Sequence, residues 1–491
     1  MALPVPQTVL GGARMTDGIV VPFEGPGAGV GELTWGQRKV WALMRQAESS
    51  LSMGGAVPVT DGRTVQDLAS ELAFFMSRYA SMRALIRSGP DGTLSQVVAA
   101  FGEATLGILD IPAEVPAEVP AEVSADVDAD ADPAQPAQAA QAAQAALVAQ
   151  ALADQWEATP FDHTREWPIR MAAVRAHGAV THVVVTISHV ATDAGGIAAM
   201  LEELGTRDPL TGEPKNPDPA IGPLELAALQ RTASGRRQSE ASLRHWERLL
   251  RTAAPLRFGP HVDRGEPRYR RAYFTSRALH LASKAVAARL GVPASTALLA
   301  AYATAVVRLT GIGPALIQVV VSNRFRPGLA DVSHPLSVNG LLTVDIAGAD
   351  TATDQEAPFE EIVNRTQRAM ALCSKYAYYD PTQLEELRAR INEERGETIE
   401  LSCLFNDRRL GIATEPLGPP VSRPELEAAQ GESTLRWAEP FTTYLDKLMI
   451  QVGTSPDTVE LEVQVDTHHV SVAEVQALML DMESLLVLAT P

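Results

Sequence analysis

Two cysteines in 491 residues, Cys373 and Cys403, are too few for a disulfide framework and show no metal-ligand spacing. That scarcity fits a reducing compartment. No apolar run reaches membrane-spanning length, and Met1-Ala2-Leu3-Pro4-Val5-Pro6 lacks a basic segment leading into an apolar core. The expected location is therefore cytoplasmic. A basic excess is also missing: 41 Lys and Arg stand against 60 Asp and Glu, a formal charge of −19, which argues against nucleic acid as the main partner. There is no Gly-x-Ser-x-Gly elbow, no phosphate-binding Gly-x-x-x-x-Gly-Lys loop and no His-Glu-x-x-His. The glycines of Gly25-Pro26-Gly27-Ala28-Gly29-Val30-Gly31 have the wrong spacing for a dinucleotide fingerprint.

What is present is the balance of a soluble globular protein, 46% hydrophobic and 21% charged, with length for two or three domains. Residues 1–30, rich in Gly and Pro, read as a flexible leader. Thr34 and Thr64 are expected N-caps of helices whose apolar stripes include Val40, Trp41 and Met44, then Leu68, Leu72 and Phe75. Gln37 is expected to be a satisfied buried amide. Around 111–145 lies a low-complexity insertion, acidic from Pro112 to Asp132 and then Ala-rich. Its acidic part lacks the apolar content to bury a core, and the Ala-rich part reads as a helix using Leu147, Leu152 and Trp156. The breaker-rich stretch 205–222 separates an N-terminal lobe (31–210) from a C-terminal lobe (211–491) in which helices and strands again alternate. There, one Arg-rich helix is expected from Leu224 past Trp246 to Leu250, and a strand from Ile399 to Phe405.

One stretch carries the chemistry. Val183 to Ile187 reads as a buried strand, broken at Ser188-His189. Gly195-Gly196 then permits a tight backbone approach, and Ile197, Met200, Leu201 and Leu204 follow at helical spacing. A histidine at the mouth of a rigid strand can act as a general base or orient a nucleophile. Equally, Asp193 can simply cap the helix and His189 end the strand. A metal site from His182, His189 and Asp193 is disfavoured, because their spacing along one strand puts the two histidines on opposite faces.

Ser188-His189-Val190-Ala191-Thr192-Asp193-Ala194 resembles the His-His-x-x-x-Asp-Gly signature of nonribosomal peptide synthetase condensation domains. Its His-x-x-x-Asp core is shared with the chloramphenicol acetyltransferase-like acyltransferases. Ser188 stands where the first His is usual and Ala194 where Gly is usual. Other pieces follow in the family's order: Leu33 to Trp41, Arg78 to Arg83, Pro160-Phe161-Asp162, Ser322 to Pro327, and Ser337 to Leu342. The resemblance runs from about Leu33 to Leu488, apart from the insertion.

It implies an α/β fold of two chloramphenicol acetyltransferase-like lobes forming a V around a central tunnel. It makes His189 the catalytic residue and Asp193 structural, paired with an Arg of the other lobe. Arg324 is the expected partner and Arg326 its rival. Ser188, Ala194, Gly195 and Asn339 would face the tunnel, Asn339 having a sheet-ladder role as its alternative. The implied activity is that of a free-standing condensation enzyme moving an acyl group from a carrier-protein thioester to an amine or hydroxyl in natural-product biosynthesis. No cofactor would be bound. The donor would arrive on the phosphopantetheine of a carrier in trans, and the acceptor as a small molecule or on a carrier. Two alternatives stand beside it: a coenzyme A-dependent acyltransferase, and a catalytically silent domain that only docks carriers.

Overall fold

The computed structural model describes residues 9–10, 13–111, 134–208, 211–260, 265–348, 357–409, 421–441, 446–453 and 455–490. The acidic repeat from Pro112 to Asp132 lies outside them. The chain forms two compact units, 1–232 with 324–336, and 233–323 with 337–491. This differs from a division at 210/211. Residues 211–232 stay with the first unit, and a segment from the second half of the chain, Arg324–Leu336, joins it.

In the first unit a six-stranded sheet runs in the order Val9–Leu10, Ala13–Glu24, Phe101–Ile111, Ile169–Ala176, Ala179–Ile187, Met53–Pro58. Alternation along Ala179–Ile187 sends Val183 and Ile187 to one face and Val184 to the other. Leu68, Leu72, Phe75 and Met76 of the helix Val65–Arg78 cover the first face. The Ala-rich helix Ala134–Ala158 covers the second with Ala145, Val148, Ala149, Leu152 and Trp156. Those positions recur every three or four residues. Leu147 falls off that stripe and is 64% exposed, contrary to its expected burial. A smaller sheet, Gly29–Glu32 with Leu94–Val98 and Ala84–Ser88, lies in the same unit.

The leader expectation fails over Ala13–Glu24. This segment pairs antiparallel with Phe101–Ile111 and buries Val21 and Phe23. Gly18 sits at a register shift where a Cβ would come 2.6 Å from the Leu106 carbonyl oxygen, so it serves a bulge and not a breaker. Both expected N-caps form capping boxes, Thr34 with Gln37 and Thr64 with Asp67. Gln37 is buried and donates to Gln96 Oε1 at 3.1 Å, and Gln96 in turn donates to the Glu32 carbonyl.

The second unit has a seven-stranded sheet ordered Val338–Val344, Ala315–Val321, Cys403–Asp407, Leu448–Val452, Val459–Asp466, Tyr269–Ser276, Thr434–Trp437. Helices Arg277–Leu290, Ala294–Thr310 and Val472–Ala489 supply much of its core. The expected strand from Ile399 begins only at Cys403. The Ile399 amide donates to Asn392 Oδ1 and so takes no part in a ladder. The expected Arg-rich helix is two, Pro223–Gln230 and Ala233–Thr252; the Thr232 hydroxyl donates to the Leu229 carbonyl at the break. Both cysteines are buried, and burial pushes each thiol up to about 12, so neither is a ready nucleophile.

Candidate active site

The first unit gathers six of the expected site residues, Ser188, His189, Asp193, Ala194, Gly195 and Arg324. The strand Ala179–Ile187 is flanked by Ile169–Ala176 and Met53–Pro58, so its end is held from both sides. Beyond Ile187 the amides of Ser188 and His189 donate to the carbonyls of Pro168 and Ser50, and Ala191 N–H closes a turn onto the Ser188 carbonyl. The turn presents His189 before the chain enters the helix Ala194–Gly205.

His189 Nδ1 lies 2.7 Å from the Thr192 carbonyl oxygen. A carbonyl only accepts, so Nδ1 carries the proton and Nε2 keeps its lone pair. Burial lowers the pKa from the ordinary value, against the opposing pull of the Thr192 carbonyl and the Asp193 carboxylate. The ring is therefore a neutral base at physiological pH, in the tautomer that leaves Nε2 free to take a proton.

Asp193 is the helix N-cap: Oδ1 accepts from Gly196 N–H at 2.9 Å and from Arg324 Nη2 at 2.7 Å, while Oδ2 accepts from Leu336 N–H at 3.0 Å. Burial alone would raise this carboxyl, but the Arg324 charge and these donors outweigh it and hold the pKa below the usual value. Arg324 also donates to the Val332 carbonyl at 2.8 Å, which shapes its own segment. The arginine expected across the lobes thus lies within the first unit, because Arg324–Leu336 is an excursion of the chain into it. Arg326 is not the partner; its guanidinium lies over the Phe325 ring.

Close backbone approaches fix this excursion. A Cβ on Gly196 would come 2.0 Å from the Ser333 carbonyl oxygen, and one on Gly36 the same distance from that of Pro335. Thr192 Oγ1 donates to the Ser333 carbonyl at 2.8 Å. Ala194 is exposed at the start of its helix, and its methyl does not disturb the turn. Ser188 is fully buried, its hydroxyl 2.7 Å from His163 Nε2. Asn339 belongs to the second unit, where its amide donates to Gln318 Oε1 of the adjoining strand at 3.1 Å and its carbonyl accepts from Tyr379.

Two buried histidines escape a reading of local sequence. His163 follows the Phe161-Asp162 pair, and His334 lies beside Asp193 and Arg324. Burial pushes both down to about 4, so both are neutral. Their significance depends on partners distant in sequence, which no local spacing signals. Among the described residues, no three His, Cys, Asp or Glu side chains converge as metal ligands. The chemistry on offer is proton transfer at His189 Nε2.

No family model matches the chain, and no curated protein matches it. Solved structures do. A condensation domain that mediates chain release from the enacyloxin polyketide synthase is 17% identical, covers 95% of this chain and 84% of its own, and has a TM-score of 0.61. The epimerization domain from the third module of tyrocidine synthetase B is 14% identical, with coverages of 95% and 98% and a TM-score of 0.64. The X-domain of teicoplanin biosynthesis, in complex with OxyB, is 15% identical, with coverages of 94% and 93% and a TM-score of 0.60. The chain therefore has the condensation-domain fold, two chloramphenicol acetyltransferase-like α/β lobes. No single helix among the described residues is long and apolar enough to cross a membrane.

Proposed function

We propose that this protein is a condensation-type acyltransferase that uses His189 as its base. The observation that carries the proposal is the tautomer: Nδ1 is committed to the Thr192 carbonyl, so Nε2 is left as the proton acceptor of the ring. In the reaction, Nε2 takes the proton of an amine or hydroxyl as that atom attacks a thioester carbonyl. The new C–N or C–O bond forms, the C–S bond breaks, and the proton passes to the departing thiolate. Asp193, held by Arg324 and two backbone amides, fixes the turn and does not itself accept the proton. The donor is an acyl group on the phosphopantetheine of a carrier protein, which raises its effective concentration at the site.

The test supplies one acyl group on a carrier, on coenzyme A and on truncated pantetheine, with a panel of amines and alcohols. The expected order has the carrier form well ahead of both others, with product lost in His189→Ala at single turnover. Equal or better use of coenzyme A would make this a coenzyme A acyltransferase. Carrier binding without turnover of any substrate would make it a silent docking domain.

A further inference from the structure

Ser188, the residue before the proposed base, has no solvent-exposed surface, so its hydroxyl must find a partner inside the protein. That partner is His163 Nε2, at 2.7 Å. His163 is itself buried, with its ring 5.5 Å from that of Trp41 in an edge contact and 5.9 Å from that of Phe161. Its backbone carbonyl accepts from Ile86 N–H at 2.8 Å, which anchors it to the smaller sheet. The imidazole is thus held by aromatic walls and by the main chain, and it offers a fixed atom to Ser188.

The serine is pinned at all three of its polar atoms. Its amide donates to the Pro168 carbonyl at 2.9 Å, its carbonyl accepts from Ala191 N–H at 3.0 Å, and its hydroxyl meets His163. The second of these bonds closes the turn that contains His189. The orientation of the His189 ring, and with it the bond from Nδ1 to Thr192, follows from the backbone of that turn. Without His163 the Ser188 hydroxyl would be buried with no partner, and the turn could relieve this only by shifting. A shift of about 1 Å at a catalytic group can cost about 100-fold in rate.

We propose that His163 is a positioning residue: through the Ser188 hydroxyl it sets the turn that presents His189 in its working tautomer. This rests on His189 being the base of the proposed acyl transfer, and the tests separate the two ideas. The variants are His163→Leu, Ser188→Ala, their combination, and the exchange His163→Ser with Ser188→His. In protein labelled with ¹⁵N-histidine, the His189 ring signals are assigned by their loss in His189→Ala. Wild type should show a protonated Nδ1 and an unprotonated Nε2 at pH 7. Each single variant should show a mixture of tautomers.

Turnover should fall about 10- to 100-fold in kcat with KM little changed, and the double variant should be no worse than either single one. The exchange, which rebuilds the bond in reverse, should recover most of the loss. A wild-type His189 spectrum in both single variants would overturn the proposal, as would losses that simply track the fraction unfolded. Should His163→Leu not fold, Ser188→Ala removes a single oxygen and gives the same comparison. Full activity in His189→Ala would instead defeat the acyl-transfer reading, leaving the ring signals to decide the role of His163.

Discussion

The Arg324 guanidinium occupies the space that a side chain at Gly195 would need: a Cβ there would fall 2.6 Å from Nη1 and 2.8 Å from Cζ. The glycine that matters for the ion pair is therefore residue 195 and not 194, where the family signature puts one. Gly195→Ala should displace Arg324 from Asp193 and cost about 1–3 kcal/mol, as overpacking does. Ala194→Gly, at an exposed helix start, should cost less than about 1 kcal/mol. Thermal melts and turnover of the two variants side by side check this ordering.

Asp193→Asn should leave Arg324 buried without its counter-charge, a loss of about 3–5 kcal/mol. The pH dependence has a definite sign. The folded carboxyl titrates below its ordinary value, so its contribution is complete above the unfolded pKa of about 3.9 and is lost as pH falls through the lower folded one. The melting-temperature gap between wild type and Asp193→Asn should thus be full at pH 6 and shrink only below about pH 4. A gap that narrows on raising the pH would contradict the ion pair.

For His189, burial lowers the pKa below the ordinary 6.5. The acid limb of kcat/KM should lie below pH 6.5, with activity flat above it until another group titrates. A limb centred above 6.5 would mean that the ring is held charged, against the geometry at Thr192.

His163 and His334, both neutral with folded values of about 4, act on stability with the same sign as Asp193 but in a higher pH window. The unfolded chain binds more protons than the folded one between about pH 4 and 6.5, so stability should fall as pH drops through that interval. His334→Asn should flatten the fall in melting temperature from pH 6.5 to 4. An unchanged slope would show that this ring does not contribute to it.

Phe23 tests the strand that replaces the expected leader. It is 5% exposed and packs edge-on to Trp167, with ring centroids 5.4 Å apart. Phe23→Ala should cost about 3–5 kcal/mol, whereas Leu147→Ala on the exposed side of the Ala-rich helix should change stability by less than about 0.5 kcal/mol. Chemical denaturation of both variants makes the comparison.

How much of this was legible beforehand depended on the range of the interactions. Capping boxes are local, so Thr34 with Gln37 and Thr64 with Asp67 could be read from three-residue spacings. The strand, turn and helix around His189 announce themselves by periodicity. Ala13–Glu24 did not, because Gly18 and Pro22 mask the alternation of Ile19, Val21 and Phe23. Leu147 stays exposed because the buried face of that helix is the stripe of Ala145, Val148, Ala149, Leu152 and Trp156, and alanines on it outrank a leucine off it. Arg324 was assigned only through the family resemblance, since Arg326 lies two residues away with the same charge. His163 and His334 had no local signal, because Ser188 in one case and the Asp193–Arg324 pair in the other come from distant sequence.

The excursion Arg324–Leu336 also decides how the polypeptide can be dissected. A gene fragment ending at Thr232 would encode nearly all of the first unit, including Asp193, but would omit the cation that neutralises it. Such a fragment should express poorly alone, and adding the missing segment as a tethered peptide should help it fold. The same wiring makes a duplication or swap of either half by recombination at residue 232 unproductive. Chimeras that keep this chain's turn at His189 must carry its residues 324–336 as well.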